Sequence, residues 1–149
     1  TKLIAEIKNH ARVFISAENK IPEIFKKYQF SINPTEIHDM LSFAELFIGE
    51  GATMASECAI MGTPSIYINT LSAGTLEDQQ QRGTLYIFKS PNGLIEKTKE
   101  ILTNPKVKKE TKQKSLDLFK NKIDLNDFFY WLISEYPKSI NSYKNNSSI

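Results

Sequence analysis

The residues best placed to do chemistry lie in one stretch, 46–69, which reads LFIGEGATMASECAIMGTPSIYIN. Its pattern is strand, glycine turn, helix, Gly-x-Pro, strand. Gly49 and Gly51 fall at the carboxyl end of a strand and just ahead of a helix, which is where open α/β sheets bind their ligands. A helix that begins with small residues exposes its first N–H groups and its positive dipole end, a ready site for a phosphate. Gly51 and Ala52 lack the bulk that would keep a diphosphate away. The predicted helix, 52–61, has two unlike sides. Met54, Cys58 and Met61, with Ala55 and Ala59 beside them, form a side that packs on the sheet. Thr53 and Glu57 are an i, i+4 pair on another side, with Ser56 adjacent. Glu57 lies five residues beyond Ala52, a rise of about 7 Å at helical pitch, which matches the step from a diphosphate to the ribose of the same nucleotide. An ionised carboxylate is acceptor-only and takes hydrogen bonds from two neighbouring hydroxyls, so a sugar diol is its natural partner. Spacing alone equally describes a strand–Gly–helix turn that holds no ligand and a helix Glu that is merely solvated.

The elements that must position this stretch follow from short apolar runs alternating with helical ones. Residues 13–17 (VFISA), 30–32, 46–49 (LFIG), 65–69 (SIYIN) and 85–88 (LYIF) read as five strands, and the first of them follows the amino-terminal residues almost at once. Asn33-Pro34-Thr35 opens a helix over 36–43, with Asn33 or Thr35 as cap and Pro34 tolerated in the first turn. Gly62 ends the helix 52–61, and Pro64 stops it from continuing. Strands alternating with helices of about ten residues predict βαβ units and a parallel sheet covered on both faces. The fold class is therefore α/β, a Rossmann-like three-layer arrangement of about five parallel strands followed by C-terminal helices. Those helices are expected at 91–103, 105–121 and from Asp124, with Asp127 sharing its capping, to about Tyr136. The last of them carries Leu125, Phe128, Phe129, Leu132, Ile133 and Tyr136 at helical spacing, a wide apolar face. Residues 1–137 are read as one lobe and 138–149, KSINSYKNNSSI, as a polar, frayed tail.

Composition narrows the function classes. The 149 residues are 40% hydrophobic and 24% charged, which is ordinary globular usage and rules out wholesale disorder. The formal net charge of +2 is too small to imply a polyanionic partner. From Lys89 to Lys122 ten Lys stand against four acids, but Lys recurs there without Arg, the pattern of a solvated helix face rather than a nucleic-acid footprint. A single cysteine, Cys58, forbids an internal disulfide and a Cys-cluster metal site, and two histidines, His10 and His38, leave little for any metal centre. No apolar run reaches the ~18–20 residues of a membrane span. The opening TKLIAEIKNH is charged throughout and lacks the apolar core of a signal peptide. It reads as a fragment of a longer protein or a piece cut at a domain boundary, with the cytoplasm as the expected compartment.

The pattern Gly51-Ala52-(x)3-Ser56-Glu57-(x)4-Gly62-x-Pro64 resembles the donor-nucleotide motif in the C-terminal lobe of GT-B glycosyltransferases. It is most similar to that of the UDP-N-acetylglucosamine transferase of peptidoglycan synthesis, with UDP-N-acetylglucosamine 2-epimerase as a cousin. The run HDMLSFAELFIGEGATMASECAIMGTPSIYIN, with the later DLNDFFYWLISEYP, resembles still more closely a family of prokaryotic proteins of unknown function built on that two-lobed fold. The likeness spans most of residues 11–137. It implies that this chain is a nucleotide-sugar-binding lobe, that a UDP-sugar is its donor substrate with no further cofactor, and that an N-terminal lobe outside this chain packs on the C-terminal helices. By that likeness Gly51, Ala52 and Thr53 face the diphosphate, Glu57 faces the ribose, and the base lies near the end of the 30–33 segment. The candidate nucleotide-binding set is Gly49, Gly51, Ala52, Thr53, Ser56 and Glu57. Ile32, Asn33, His38, Asn69 and Thr70 are the candidate base or sugar contacts. The chain also departs from its relatives. Glu50 puts a carboxylate beside the phosphate position, so it must turn away, meet a metal or signal another ligand. The loop after the next strand, 70–75, is short, and Gln79, Gln80 and Gln81 fall later, within a helix, where relatives hold the sugar with a Gln/Asn-bearing loop. Because relatives keep their acceptor site and most acid–base residues in the other lobe, no catalytic residue is assigned. Transferase and epimerase stay equally open.

Two other classes compete. Glu18, Glu50, Thr70 and Lys89 at strand ends follow the acid, acid, hydroxyl, Lys order of a receiver domain. Such a domain, however, needs an Asp as phosphoryl acceptor and ends one helix after its fifth strand, whereas about sixty residues follow here. The third class is an interaction module in which the sheet is only scaffold and the Lys-rich helices or the Trp131 face bind a partner. His38-Asp39 suggests a His–carboxylate pair, but adjacent helical residues do not face one another. Cys58 has no basic neighbour in sequence and is expected to be inert.

Overall fold

Three of the five apolar runs become strands. In a computed structural model, which describes residues 2–17, 19–120 and 122–145, β1 (Phe47–Gly49), β2 (Ser65–Ile68) and β3 (Leu85–Phe88) form a parallel sheet in the order β1-β2-β3. Phe47 stands opposite Ser65, and Ser65 opposite Leu85. Alternation along the strands sorts their side chains to two faces. Tyr67 and Leu85, with Phe47 and Ile87, pack on Ala55 and Ala59 of helix α3 (Ala52–Met61) and Leu76 of α4 (Gly74–Gln81). Ile66, with Ile48, Ile68, Tyr86 and Phe88, packs on Leu94 and Ile101 of α5 (Leu94–Thr103), Val107 of α6 (Lys106–Phe119) and Leu3 of α1 (Lys2–Ile7). Both faces are covered, so the unit formed by residues 1–117 is a three-layer α/β sandwich. Ile66, Tyr67, Leu76 and Leu85 are at most 2% exposed, and burying each such side chain contributes about 1.5–3 kcal/mol.

The expected strands at 13–17 and 30–32 do not form. The two segments meet at one parallel bridge, Ile15 with Gln29, in which Ile15 N donates to Tyr28 O at 2.8 Å. Pro22 and Pro34 flank the second segment, and the chain on either side of it coils into 3₁₀ turns, Glu23–Tyr28 and Pro34–Glu36. Residue 30 therefore has little extended chain with which to build a ladder. What joins the segments beyond the bridge is side-chain contact, the rings of Phe14 and Phe30 meeting edge to face at 5.7 Å. The amino-terminal residues ahead of the first expected strand form α1.

Helix boundaries follow local chemistry. Asn33 caps as expected, its Oδ1 accepting from Thr35 N at 3.1 Å, and the chain then passes through a 3₁₀ turn into α2 (Ile37–Phe43). Asn104 Oδ1 likewise accepts from Lys106 N at the start of α6. Helix α5 begins at Leu94 rather than 91, because Ser90–Gly93 makes its own turn and Gly93 sits at φ 76°. The expected end of α6 at 121 lies outside the described residues, as does Glu18.

The lysines of α6 are not simply a solvated face. Lys108 Nζ donates to the Phe43 carbonyl at 3.0 Å, Lys112 Nζ to the Met61 carbonyl at 3.3 Å and Lys114 Nζ to the Gly83 carbonyl at 3.4 Å. The Ser115 hydroxyl donates to the Ile60 carbonyl. These acceptors are orphan carbonyls at or just past the C-terminal ends of α2, α3 and α4, where a cation also meets the negative end of the helix dipole. The positive charge thus ties three helices to α6.

Residues 118–149 form a second unit. Its helix α7 (Leu125–Ser134) is capped by Asp124, whose Oδ1 accepts from Asn126 N at 2.8 Å and Asp127 N at 3.4 Å. Asp127 contributes its backbone N–H to that cap. Residues 138–145, expected as frayed tail, form helix α8 (Lys138–Asn145). The physical reason is tertiary: Ser139 Oγ donates to the Leu132 carbonyl at 2.6 Å, and the Tyr143 ring meets Phe128 at 5.8 Å. The remainder of that expected tail, 146–149, lies outside the described residues. Among the described residues no helix is long and apolar enough to cross a membrane.

Candidate functional site

The chain leaves β1 at Gly49, turns through Glu50 and Gly51, and enters α3 at Ala52. The two glycines of this turn serve different ends. A Cβ on Gly49 would lie 2.5 Å from Cζ of Phe47, so glycine is needed there to let the Phe47 ring lie across the strand. Gly51 is the N-cap of α3 at φ −81°, ψ 112°, a conformation open to any residue. A Cβ there would meet only Cβ of Met54, at 4.0 Å. Neither backbone nor packing requires glycine at 51, and no side chain caps the helix. The first-turn N–H groups of α3, at Ala52, Thr53 and Met54, thus stand at the carboxyl end of the sheet without a side-chain cap from position 51.

Asn69, one residue past β2, fastens the turn. Its Nδ2 donates to the Glu50 carbonyl at 3.3 Å, and its Oδ1 accepts from Leu71 N at 3.1 Å. The amide is thus spent on holding two strand-end loops together, while the Glu50 side chain and Thr70 are exposed. Asn33 is likewise spent on Thr35, and the half-buried Ile32 lies beside it on the segment that enters α2. Ser56 turns toward α4, where its Oγ accepts from Gln79 Nε2 at 2.9 Å. Gln79 is buried and its Oε1 has no hydrogen-bond partner among the described residues. Of the glutamines singled out in the sequence, it is the one that reaches α3.

Glu57 lies on the side of α3 that faces α2. Its Oε2 accepts from His38 Nε2 at 3.0 Å, with the two side chains 38% and 55% exposed. Because a carboxylate can only accept, the Nε2 nitrogen carries the proton. The pair joins residues 19 apart in sequence, and no local periodicity announces it. Asp39, which sequence proximity had suggested as a partner for His38, is exposed on the same helix. The structure thus brings together Gly49, Gly51, Ala52, Thr53 and Asn69 around the strand end, and Glu57 with His38 along the helix. It directs Ser56 elsewhere. Among the described residues no group of three or more His, Cys, Asp or Glu is arranged to hold a metal ion.

On the sheet side of α3, Cys58 is fully buried. Burial pushes its thiol up from 9.0 to about 12, the neighbouring Glu57 carboxylate acts in the same direction, and a hydrogen bond with Ser65 opposes them. The thiolate is the reactive form. At pH 8 native Cys58 is expected to react with iodoacetamide roughly a thousandfold more slowly than in denaturant, from the shift in thiolate fraction. Equal rates in the two conditions, followed by mass spectrometry, would show that the thiol is accessible and ionised.

Residues 1–125 match the model of the family described as "Protein of unknown function (DUF354)", and the chain belongs to that family. No curated protein and no solved structure matches it.

Proposed function

We propose that this DUF354 chain is a nucleotide-sugar-binding lobe, in which the N-terminus of α3 takes the diphosphate of a UDP-sugar and Glu57 takes the ribose hydroxyls. The observation that carries the reading is the open position at Gly51. A glycine that neither its φ angle nor its neighbours require, capping a helix whose first N–H groups have no side-chain acceptor, is what close approach of a phosphate demands. Position in the fold supports it, since the turn stands at the carboxyl ends of parallel strands. Glu57 supports it too, as a carboxylate a turn and a half along the same helix. The likeness to GT-B donor lobes supplies the uridine and the sugar.

On this reading the lobe's contribution to catalysis is binding. Helix N–H groups orient the diphosphate and stabilise the charge that grows on it as the sugar departs. A second lobe, resting on the C-terminal helices, would bring the acceptor and close the cleft. Calorimetric titration with UDP, against GDP, ADP and CMP, tests the proposal. Selective UDP binding is expected, weakened about 10–100-fold in Glu57→Ala by loss of charge-assisted hydrogen bonds worth ~1.5–3 kcal/mol. No binding of any nucleotide at millimolar concentration would sink the assignment. Binding indifferent to Glu57→Ala would refute the placement of the ribose.

A further inference from the structure

We propose that His38 is a positioning residue that presets the Glu57 carboxylate for a vicinal diol, an inference that rests on the nucleotide reading above. Glutamate carries three rotatable bonds, and a ligand that needs its carboxylate in one orientation bears the entropy of fixing it. His38 fixes one end beforehand. Its Nε2–H donates to Oε2 at 3.0 Å, while Oε1 has no hydrogen-bond partner among the described residues. A carboxylate has about four acceptor positions, so one histidine leaves enough for two adjacent hydroxyls.

The donor is itself held in place. Helix α2 is anchored near its C-terminal end by the buried Thr63, whose Oγ1 donates to the Leu41 carbonyl at 2.8 Å, and by Lys108 at the Phe43 carbonyl. Thr63 belongs to the Gly62–Pro64 turn that ends α3. The same turn therefore terminates the helix bearing Glu57 and fastens the helix bearing His38, which sets the separation of the two side chains. Sequence alone placed His38 among base or sugar contacts. The geometry adds a contact with the Glu57 carboxylate.

The test pairs protein variants with ligands that differ only in the diol. UDP and 2′,3′-dideoxy-UDP are titrated into the wild-type chain, His38→Ala, His38→Gln and Glu57→Ala. Expected is an approximately tenfold loss of UDP affinity in His38→Ala, recovery to within about threefold in His38→Gln, and no change in dideoxy-UDP affinity in either. The pair is solvent-exposed, so both variants keep the wild-type circular dichroism spectrum and melting temperature. Equal losses for UDP and dideoxy-UDP would mean that His38 only supports the fold locally, and unchanged UDP binding would mean that it does nothing for the carboxylate. Either result overturns the inference while leaving the nucleotide site standing. Failure of the wild-type chain to bind UDP removes the site reading and this inference with it.

Discussion

Gly62→Ala is expected to destabilise the protein by about 2–5 kcal/mol and to lower its melting temperature by ~10 °C. Two costs add. Gly62 ends α3 at φ 85°, ψ 18°, a left-handed conformation that costs an L-residue roughly 1–2 kcal/mol. A Cβ at 62 would also lie 2.8 Å from Cα of Lys112 and 2.7 Å from its Cδ. The Cδ can swing away, but the Cα belongs to the backbone of α6 and moves only if that helix moves, an overpacking cost of about 1–3 kcal/mol. Displacing α6 strains the Lys112, Lys114 and Ser115 bonds to the ends of α3 and α4 as well. Against a total stability of roughly 5–15 kcal/mol, the loss is readily seen in a thermal melt. A melting temperature within 2–3 °C of wild type would mean that the α3–α6 approach is looser than these distances state.

Gly51→Val, eleven residues earlier in the same motif, is expected to do the reverse. Position 51 has φ −81°, ψ 112°, the β region that valine prefers, and open space beside it. The melting temperature is expected to stay within about 3 °C of wild type. The branched side chain would fill the space in front of the α3 N–H groups and displace the diphosphate. Losing two charge-assisted hydrogen bonds at ~1.5 kcal/mol each corresponds to about a hundredfold fall in UDP affinity. Full UDP affinity in Gly51→Val would refute the phosphate site, even if UDP proved to bind elsewhere on the chain. The two substitutions separate a glycine that the fold requires from one that neither its backbone angles nor its neighbours require.

The motif itself was legible in the residues. The bounds of α3, its stop at Gly62, the strands β2 and β3, and the caps at Asn33 and Asp124 rest on interactions within a few positions: a left-handed glycine, a side chain bonding a nearby N–H, an apolar run of strand length. The family likeness to proteins of unknown function was legible as well, and the family model covers residues 1–125. Other features depended on partners distant in the chain. Residues 13–17 and 30–32 have the composition of strands, but a strand exists only where a neighbour supplies a ladder, and theirs shrinks to the Ile15–Gln29 bridge. The 138–145 segment looks like a polar tail until Phe128 and Leu132 give Tyr143 and Ser139 something to meet. The lysines of α6 look like a solvated run until the ends of α2, α3 and α4 arrive beside them, up to 65 residues away in sequence. The same holds at the candidate site. Sequence determined that a small-residue turn precedes a helix carrying Thr53, Ser56 and Glu57. Only the tertiary structure decided that Ser56 turns to Gln79, that Gly49 yields to the Phe47 ring, and that His38 donates to Glu57. Those pairings are set by how helices pack on a twisted sheet, and such packing leaves no period in the order of the residues.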